Sequence, residues 1–176
     1  MRRMLCSLLL TTLLTGTAAA HAVPDPAYVT QSITVSGQVE QGLTLTVQDL
    51  RQFPARQVTD VPSAGKGGAD MGKSRHFKGV LLRDILDQAK LAAPTHNDAK
   101  KLYIVATASD GYQAVFSWGE IFNAPLGDGV LVLYEQDGKP LDDGEGKIAM
   151  ISSKDTRTGP RHVKWLKSIS VRKVAD

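Results

Sequence analysis

Residues 152–166 read SSKDTRTGPRHVKWL, and these fifteen positions hold two serines, two threonines, two lysines, two arginines, a histidine and an aspartate. The hydroxyls, guanidinium groups and ammonium groups donate hydrogen bonds. Asp155 accepts through two oxygens, and His162 can do either. Ser152, Ser153, Asp155, Thr156, Arg157, Arg161, His162 and Lys164 are therefore candidates to cradle an anion or a heterocycle. A solvated loop ahead of a strand has the same composition, because loops near strand ends are polar.

Other chemistry-bearing residues are more scattered. Trp118, in FSWGE, follows a strand and either closes a ligand pocket or packs at the core rim. Trp165 alternates with Lys164 and reads as core packing within the last strand. Asp110-Gly111 reads as a hairpin turn. His76 and His162 are metal candidates by location alone, and no two histidines have metal-ligand spacing, which argues against a dedicated zinc or copper site. A G-x-S-x-G nucleophile elbow is absent. The GKGG at 65–68 lacks the rest of a phosphate loop and the helix that follows one. Glu120 and Glu135 have no spacing that supports an acid–base pair.

Residues 1–22 have the pattern of an export signal. Arg2 and Arg3 precede an apolar or small run from Leu5 to Thr17, and Ala20-His21-Ala22 supplies a small-x-small cleavage site. The run is too short for a membrane span, and its leucine-rich core suits the general secretory route better than the twin-arginine route. Cys6 precedes the apolar run, unlike a lipoprotein cysteine. The expected mature chain starts near Val23 in the periplasm, with a leader at 23–30 and one domain at 31–176. Cleavage removes the single cysteine, and with it any disulfide, thiolate ligand or cysteine nucleophile. Loss of Arg2 and Arg3 takes the formal charge from +3 to +1, which excludes a default nucleic-acid binder.

Hydrophobic period supplies the elements that must position these residues. SITVSGQV alternates as a half-buried strand. Thr46 caps a short helix carrying Val47, Leu50 and Phe53, which Pro54 ends. RQVTDV is a second strand, and residues 62–76, PSAGKGGADMGKSRH, form a long polar glycine-rich loop. FKGVLLRDILDQAKL predicts a helix with Leu81, Leu82, Ile85, Leu86 and Ala89 on one face. LYIVATAS and YQAVFSW form a hairpin, WGEIFN one helical turn, and GVLVLYEQ, KIAMISS and VKWLKSISVRK three more strands. Many short strands with few helices indicate an α+β domain of mixed sheets.

The order LTVQDLRQFP, FKGVLLRDIL, YIVATASDGYQAVFSWGEI, VLVLYEQDGKPL and RHVKWLKSISV resembles the molybdopterin-binding domain of the sulfite oxidase family over about residues 31–173. That resemblance implies a mixed α+β fold whose loops hold an organic pterin. It also implies a cysteine thiolate on molybdenum between the FP and G-x-x-L segments, and a cofactor cradle in the basic stretch before VKW. Here the cysteine segment falls on residues 62–76, which contain none. A flat pterin ring needs an aromatic or guanidinium face and an edge of matched donors and acceptors. Asp155 can accept two bonds from that edge, and Arg161 or Arg157 can stack on the ring or grip an oxygen. Ser152, Ser153 and Thr156 offer hydroxyls, and Trp118 can close the pocket. Cysteine-free relatives resemble periplasmic pterin-binding proteins that report to membrane cyclic-di-GMP enzymes. The resemblance thus implies a metal-free pterin as ligand and a diguanylate cyclase or phosphodiesterase as partner. The alternatives are a molybdopterin-dependent oxidoreductase with an unusual metal shell, and an accessory protein with an empty pocket.

Overall fold

The computed structural model describes residues 25–60 and 74–175. Its strands are β1 Ser32–Gly37, β2 Leu43–Thr46, β3 Ala55–Asp60, β4 Arg75–Leu81, β5 Leu102–Ala108, β6 Gln113–Ser117, β7 Val130–Gln136, β8 Lys139–Pro140, β9 Ala149–Ser152 and β10 Leu166–Lys173. The short helices are α1 Val47–Leu50, α2 Leu82–Ala89, α3 His96–Ala99 and α4 Trp118–Phe122, and a 3-10 turn spans Gly159–Arg161. One sheet runs β2-β1-β10-β5-β6; the second runs β3-β4-β7-β8, with β9 also paired to β7. Only the β1–β10 pairing is parallel among the described strands.

Alternation sends Ile33 and Val35 of β1, Ile104 and Ala106 of β5, Phe116 of β6, and Val132 and Met150 of the second sheet into one core, which the apolar face of α2 completes. The opposite face of the second sheet is also buried: Phe77, Leu81, Leu131, Leu133, Leu141, Ala149 and Ile151 form a smaller cluster. Burial on both faces explains why VLVLY in β7 is continuously apolar instead of alternating.

Two sequence expectations change. The stretch predicted as a helix from Phe77 divides: residues up to Leu81 belong to β4, and only Leu82–Ala89 is helical. Phe77 and Leu81 share one face of a central strand between β3 and β7, so sheet pairing overrides the helical period. Gly79 permits that pairing, since a Cβ there would sit 2.2 Å from the Val132 carbonyl oxygen. The last strand starts at Leu166 instead of Val163, because Trp165 adopts φ 48° and breaks the extended chain; Val163 keeps a single bridge to Met150. Trp165 therefore does not alternate with Lys164 within a strand.

The predicted cap at Thr46 holds: Thr46 and Asp49 form a reciprocal capping box at α1. Ser117 and Glu120 form a second one at α4. The β7–β8 hairpin turns on Asp137 and Gly138, both at positive φ (50° and 77°), as a two-residue Asp-Gly turn requires. The predicted 62–76 loop lies mostly outside the described residues; Arg75 and His76 fall in β4. Among the described residues no helix is long and apolar enough to cross a membrane.

Candidate functional site

Three connections meet beside the β5–β6 hairpin. Its turn is held by Asp110, whose Oδ1 accepts from the Tyr112 amide at 2.9 Å, with Gly111 at φ 92°. The Tyr112 hydroxyl donates to the Pro160 carbonyl at 2.6 Å, which ties the hairpin to the segment after β9. The Ser109 amide donates to the Trp165 carbonyl, and the Trp165 amide donates to the Glu145 carbonyl, each at 2.9 Å. Loop 142–147 is thereby joined to both.

Trp165 is the peg of this junction. Its indole N–H donates to the Asp143 carbonyl at 2.7 Å, and its ring lies 5.9 Å from that of Tyr28. Gly146, at φ 76°, lies under it: a Cβ there would sit 2.2 Å from Trp165 Cδ1. The junction encloses an open cleft of about 230 Å³ lined by Asp110, Tyr112, Gly159, His162, Lys164 and Trp165. This is below the roughly 300–1,000 Å³ of drug-sized pockets, so it suits a small ligand.

Glu145, with only 6% of its surface exposed, contacts two of the residues that line the cleft, His162 and Lys164. Lys164 Nζ is 2.9 Å from Oε1, and Arg75 Nη1 is 3.8 Å from the same oxygen. His162 Nε2 lies 2.8 Å from Oε2, an ion-pair distance, yet the two atoms are not aligned for a hydrogen bond and neither has a hydrogen-bond partner. Burial by itself pushes the Glu145 carboxyl up. Its contact with His162 and the charges of His162 and Lys164 overcome that and hold it at about 2. The imidazole also packs edge-on to Phe77, with centroids 6.0 Å apart, and the Arg75 guanidinium lies 5.1 Å from the Phe77 ring centre.

A second cluster braces the segment before the cleft. Arg161 grips Asp155 through two bonds, Nε to Oδ2 at 2.7 Å and Nη2 to Oδ1 at 2.5 Å. Its Nη1 donates to Glu120 Oε1 at 2.8 Å, and the guanidinium lies 4.7 Å from the Phe116 ring centre. The bond to Asp155 is the main reason the Arg161 guanidinium is raised above its ordinary value. Glu120 is lowered: burial opposes ionisation, but bonds from the Ser117 amide and from Arg161 outweigh it.

Of the residues singled out in the sequence, His162 and Lys164 line the cleft. Asp155 and Arg161 are bound to each other, and Thr156 and Arg157 are exposed on the same segment. Ser153 donates to the Gly129 carbonyl at 3.0 Å. Ser152 is fully buried, its hydroxyl without a partner. Trp118 lies elsewhere: it stacks on Phe122, meets His96 edge-on, and lines a separate hollow with His96, Lys100 and Asn123. Trp118 and Glu120 are two residues apart on α4 and so point to different sides of the helix, which divides Trp118 from the Arg161 cluster. His76 is exposed, with Nδ1 3.1 Å from Thr59 Oγ1. Among the described residues no group of three His, Cys, Asp or Glu side chains is placed to hold a metal ion.

Glu145, Tyr112 and the placement of Trp165 were not foreseen. DDGEGK carries only turn signals, so nothing local distinguishes Glu145 from its solvated acidic neighbours.

Comparison with known proteins agrees with this architecture. The family model described as oxidoreductase molybdopterin binding domain matches residues 20–176. The crystal structure of the sulfane dehydrogenase SoxCD from Paracoccus pantotrophus superposes with a TM-score of 0.61 at 20% identity, covering 82% of this chain and 39% of that one. The chain thus spans well under half the length of that neighbour, and the likeness shows the fold alone. No curated protein matches in sequence. The mixed sheets, the few short helices and a family match over nearly the whole chain lead to one assignment: the protein belongs to the oxidoreductase molybdopterin binding domain family, with the sulfite oxidase-like fold.

Proposed function

We propose that this chain is an exported binding module that holds a metal-free pterin in the Tyr112–Trp165 cleft. It would report occupancy to the periplasmic region of a membrane diguanylate cyclase or phosphodiesterase. The observation that carries the reading is a molybdopterin-binding domain match over residues 20–176 that contains no cysteine, the single one, Cys6, preceding it in the N-terminal apolar stretch.

The side chains suit the two halves of the family's cofactor unequally. For the organic ring, Tyr112 and Trp165 present aromatic surface, while Asp110, Lys164 and the chain at Gly159 offer acceptors and donors around it. For the metal, residues 23–176 contain no thiolate donor, and His162, the histidine in the cleft, is turned to Glu145. The residues present do not fit a molybdenum centre of the thiolate-ligated kind.

The decisive experiment is to isolate the mature protein from the periplasm, measure molybdenum per chain, and oxidise the released small molecule for fluorescence. The expected result is metal far below one per chain together with pterin fluorescence near one per chain. Stoichiometric molybdenum would overturn the reading in favour of an oxidoreductase with an unusual metal shell. Crosslinking of the loaded protein to the periplasmic region of a cyclase, lost when the pterin is removed, tests the partner.

A further inference from the structure

We infer that Glu145 sets the charge of the cleft so that it admits a pterin lacking a phosphate group and turns away one that carries it, molybdopterin included. The inference deepens the pterin reading above and rests on it for the ring, but its charge argument stands on Glu145 and the cations around it.

The segment 152–166 is basic in composition, yet its cations are largely committed to carboxylates. Lys154 lies 3.5 Å from Asp128 and donates to the Pro125 carbonyl, and Arg161 is held by Asp155 and Glu120. Lys164 and His162 both face Glu145, one on each oxygen, and Arg75 approaches the Lys164 side. Asp110, exposed and lining the cleft, adds a second carboxylate. Two carboxylates therefore match the two permanent cations, Lys164 and Arg75, leaving the imidazole as the one group able to add positive charge among the described residues of the site.

A phosphate monoester brings close to two negative charges at neutral pH. To hold it, Lys164 would have to leave Glu145, a side chain 8% exposed, whose one remaining permanent cation would be Arg75 at 3.8 Å. Taking the nearer cation from a shielded carboxylate is unfavourable, although the Lys164 side chain is itself 43% exposed. A phosphate that left the pair intact would instead face Asp110 and Glu145 with no free permanent cation among the residues lining the cleft. An uncharged ring edge meets neither penalty.

The test is calorimetric titration of the mature protein with neopterin, neopterin monophosphate and inorganic pyrophosphate. Wild type should bind neopterin at least about tenfold more tightly than its monophosphate and show no saturable pyrophosphate binding. Glu145→Gln should narrow that ratio by about tenfold and gain pyrophosphate binding, and adding Lys164→Ala should abolish the gain. Asp110→Asn, an exposed isosteric change that keeps the turn acceptor, should shift the ratio in the same direction even if Glu145→Gln fails to fold. A wild type that binds the monophosphate as tightly as neopterin, or variants that leave the ratio unchanged, overturns the inference. If neopterin does not bind wild type, the pterin reading falls by itself. The pyrophosphate arm still decides the charge argument: saturable binding by wild type sinks it, and binding gained only on removing a carboxylate supports it.

Discussion

Glu145 and Ser152 are both buried polar side chains, and the difference between them is what surrounds each. Glu145 has Lys164 on one oxygen and the His162 imidazole against the other, and together they outweigh burial, so its folded-state value of about 2 lies below the ordinary 4.5. A depressed carboxylate contributes stability that is fully present above about pH 4.5 and lost as pH falls toward 2. The shift corresponds to about 3 kcal/mol. Urea midpoints for wild type should fall steeply between pH 5 and pH 2, a window set by that shift. Glu145→Gln, destabilised at neutral pH, should show a flatter profile. Ser152 lies opposite Val130 in the β7–β9 ladder, on the Met150 face, and its hydroxyl has no partner there. Removing an unpaired buried hydroxyl relieves its desolvation cost. Ser152→Ala should therefore leave stability unchanged or raise it by up to about 1 kcal/mol, measured by urea denaturation. A loss of more than 1 kcal/mol would show that the hydroxyl is paired in solution.

The elements around the site are held by contacts between side chains far apart in sequence. Arg161 joins the 3-10 turn Gly159–Arg161 to Asp155 and to α4 through Glu120. Its side chain is 21% exposed and that of Asp155 12%, so losing the guanidinium leaves a shielded carboxylate. Arg161→Ala should cost about 2–3 kcal/mol, less than breaking a fully buried pair. The double change with Asp155→Ala should cost less than the two singles summed, checked by a double-mutant cycle. On the opposite wall, Gly146→Ala should cost about 2 kcal/mol or more, because the added methyl meets the Trp165 ring and a residue at φ 76° tolerates a Cβ poorly. The same change should alter tryptophan emission. Unchanged emission and stability would mean that Trp165 is not seated on Gly146.

At the scale of the whole molecule, the strands of the β2-β1-β10-β5-β6 sheet differ in how they are protected. β10 is flanked by β1 and β5, whereas β2 and β6 are edges of the same sheet. Amide exchange should be slowest in β5 and β10 and faster in β2 and β6, since unpaired edge groups open to water first. The proposed export adds a second expectation: the N-terminus of the protein recovered from the periplasm should lie near Val23, found by sequencing that form. Retention of Cys6 in that form would remove the argument from a missing thiol.

Most elements were legible in the sequence because their signals are local. The Thr46 cap, the Asp110-Gly111 and Asp137-Gly138 turns and the alternation of β1 all act within a few residues. The helix predicted from Phe77 failed at its first turn, where pairing with strands β3 and β7 outweighed a helical period that the residues also satisfy. Trp165 failed similarly, because its left-handed backbone is held by bonds to Asp143 and Glu145, some twenty residues back in the chain.

The sequence by itself determined the family, the α+β class and the absence of a thiolate beyond Cys6, since composition, order and spacing do not depend on packing. It also singled out the segment 152–166 as the richest in ligand chemistry. Only the tertiary structure decided how that chemistry is spent. Arg161 is paired to Asp155 and Glu120, His162 and Lys164 face Glu145, and Ser152 is turned into the core. The reason is physical: whether a charged or polar group is available to a ligand depends on which partner folding brings within about 3 Å, and for Glu120 and Glu145 that partner lies at a distance in sequence that no local pattern records.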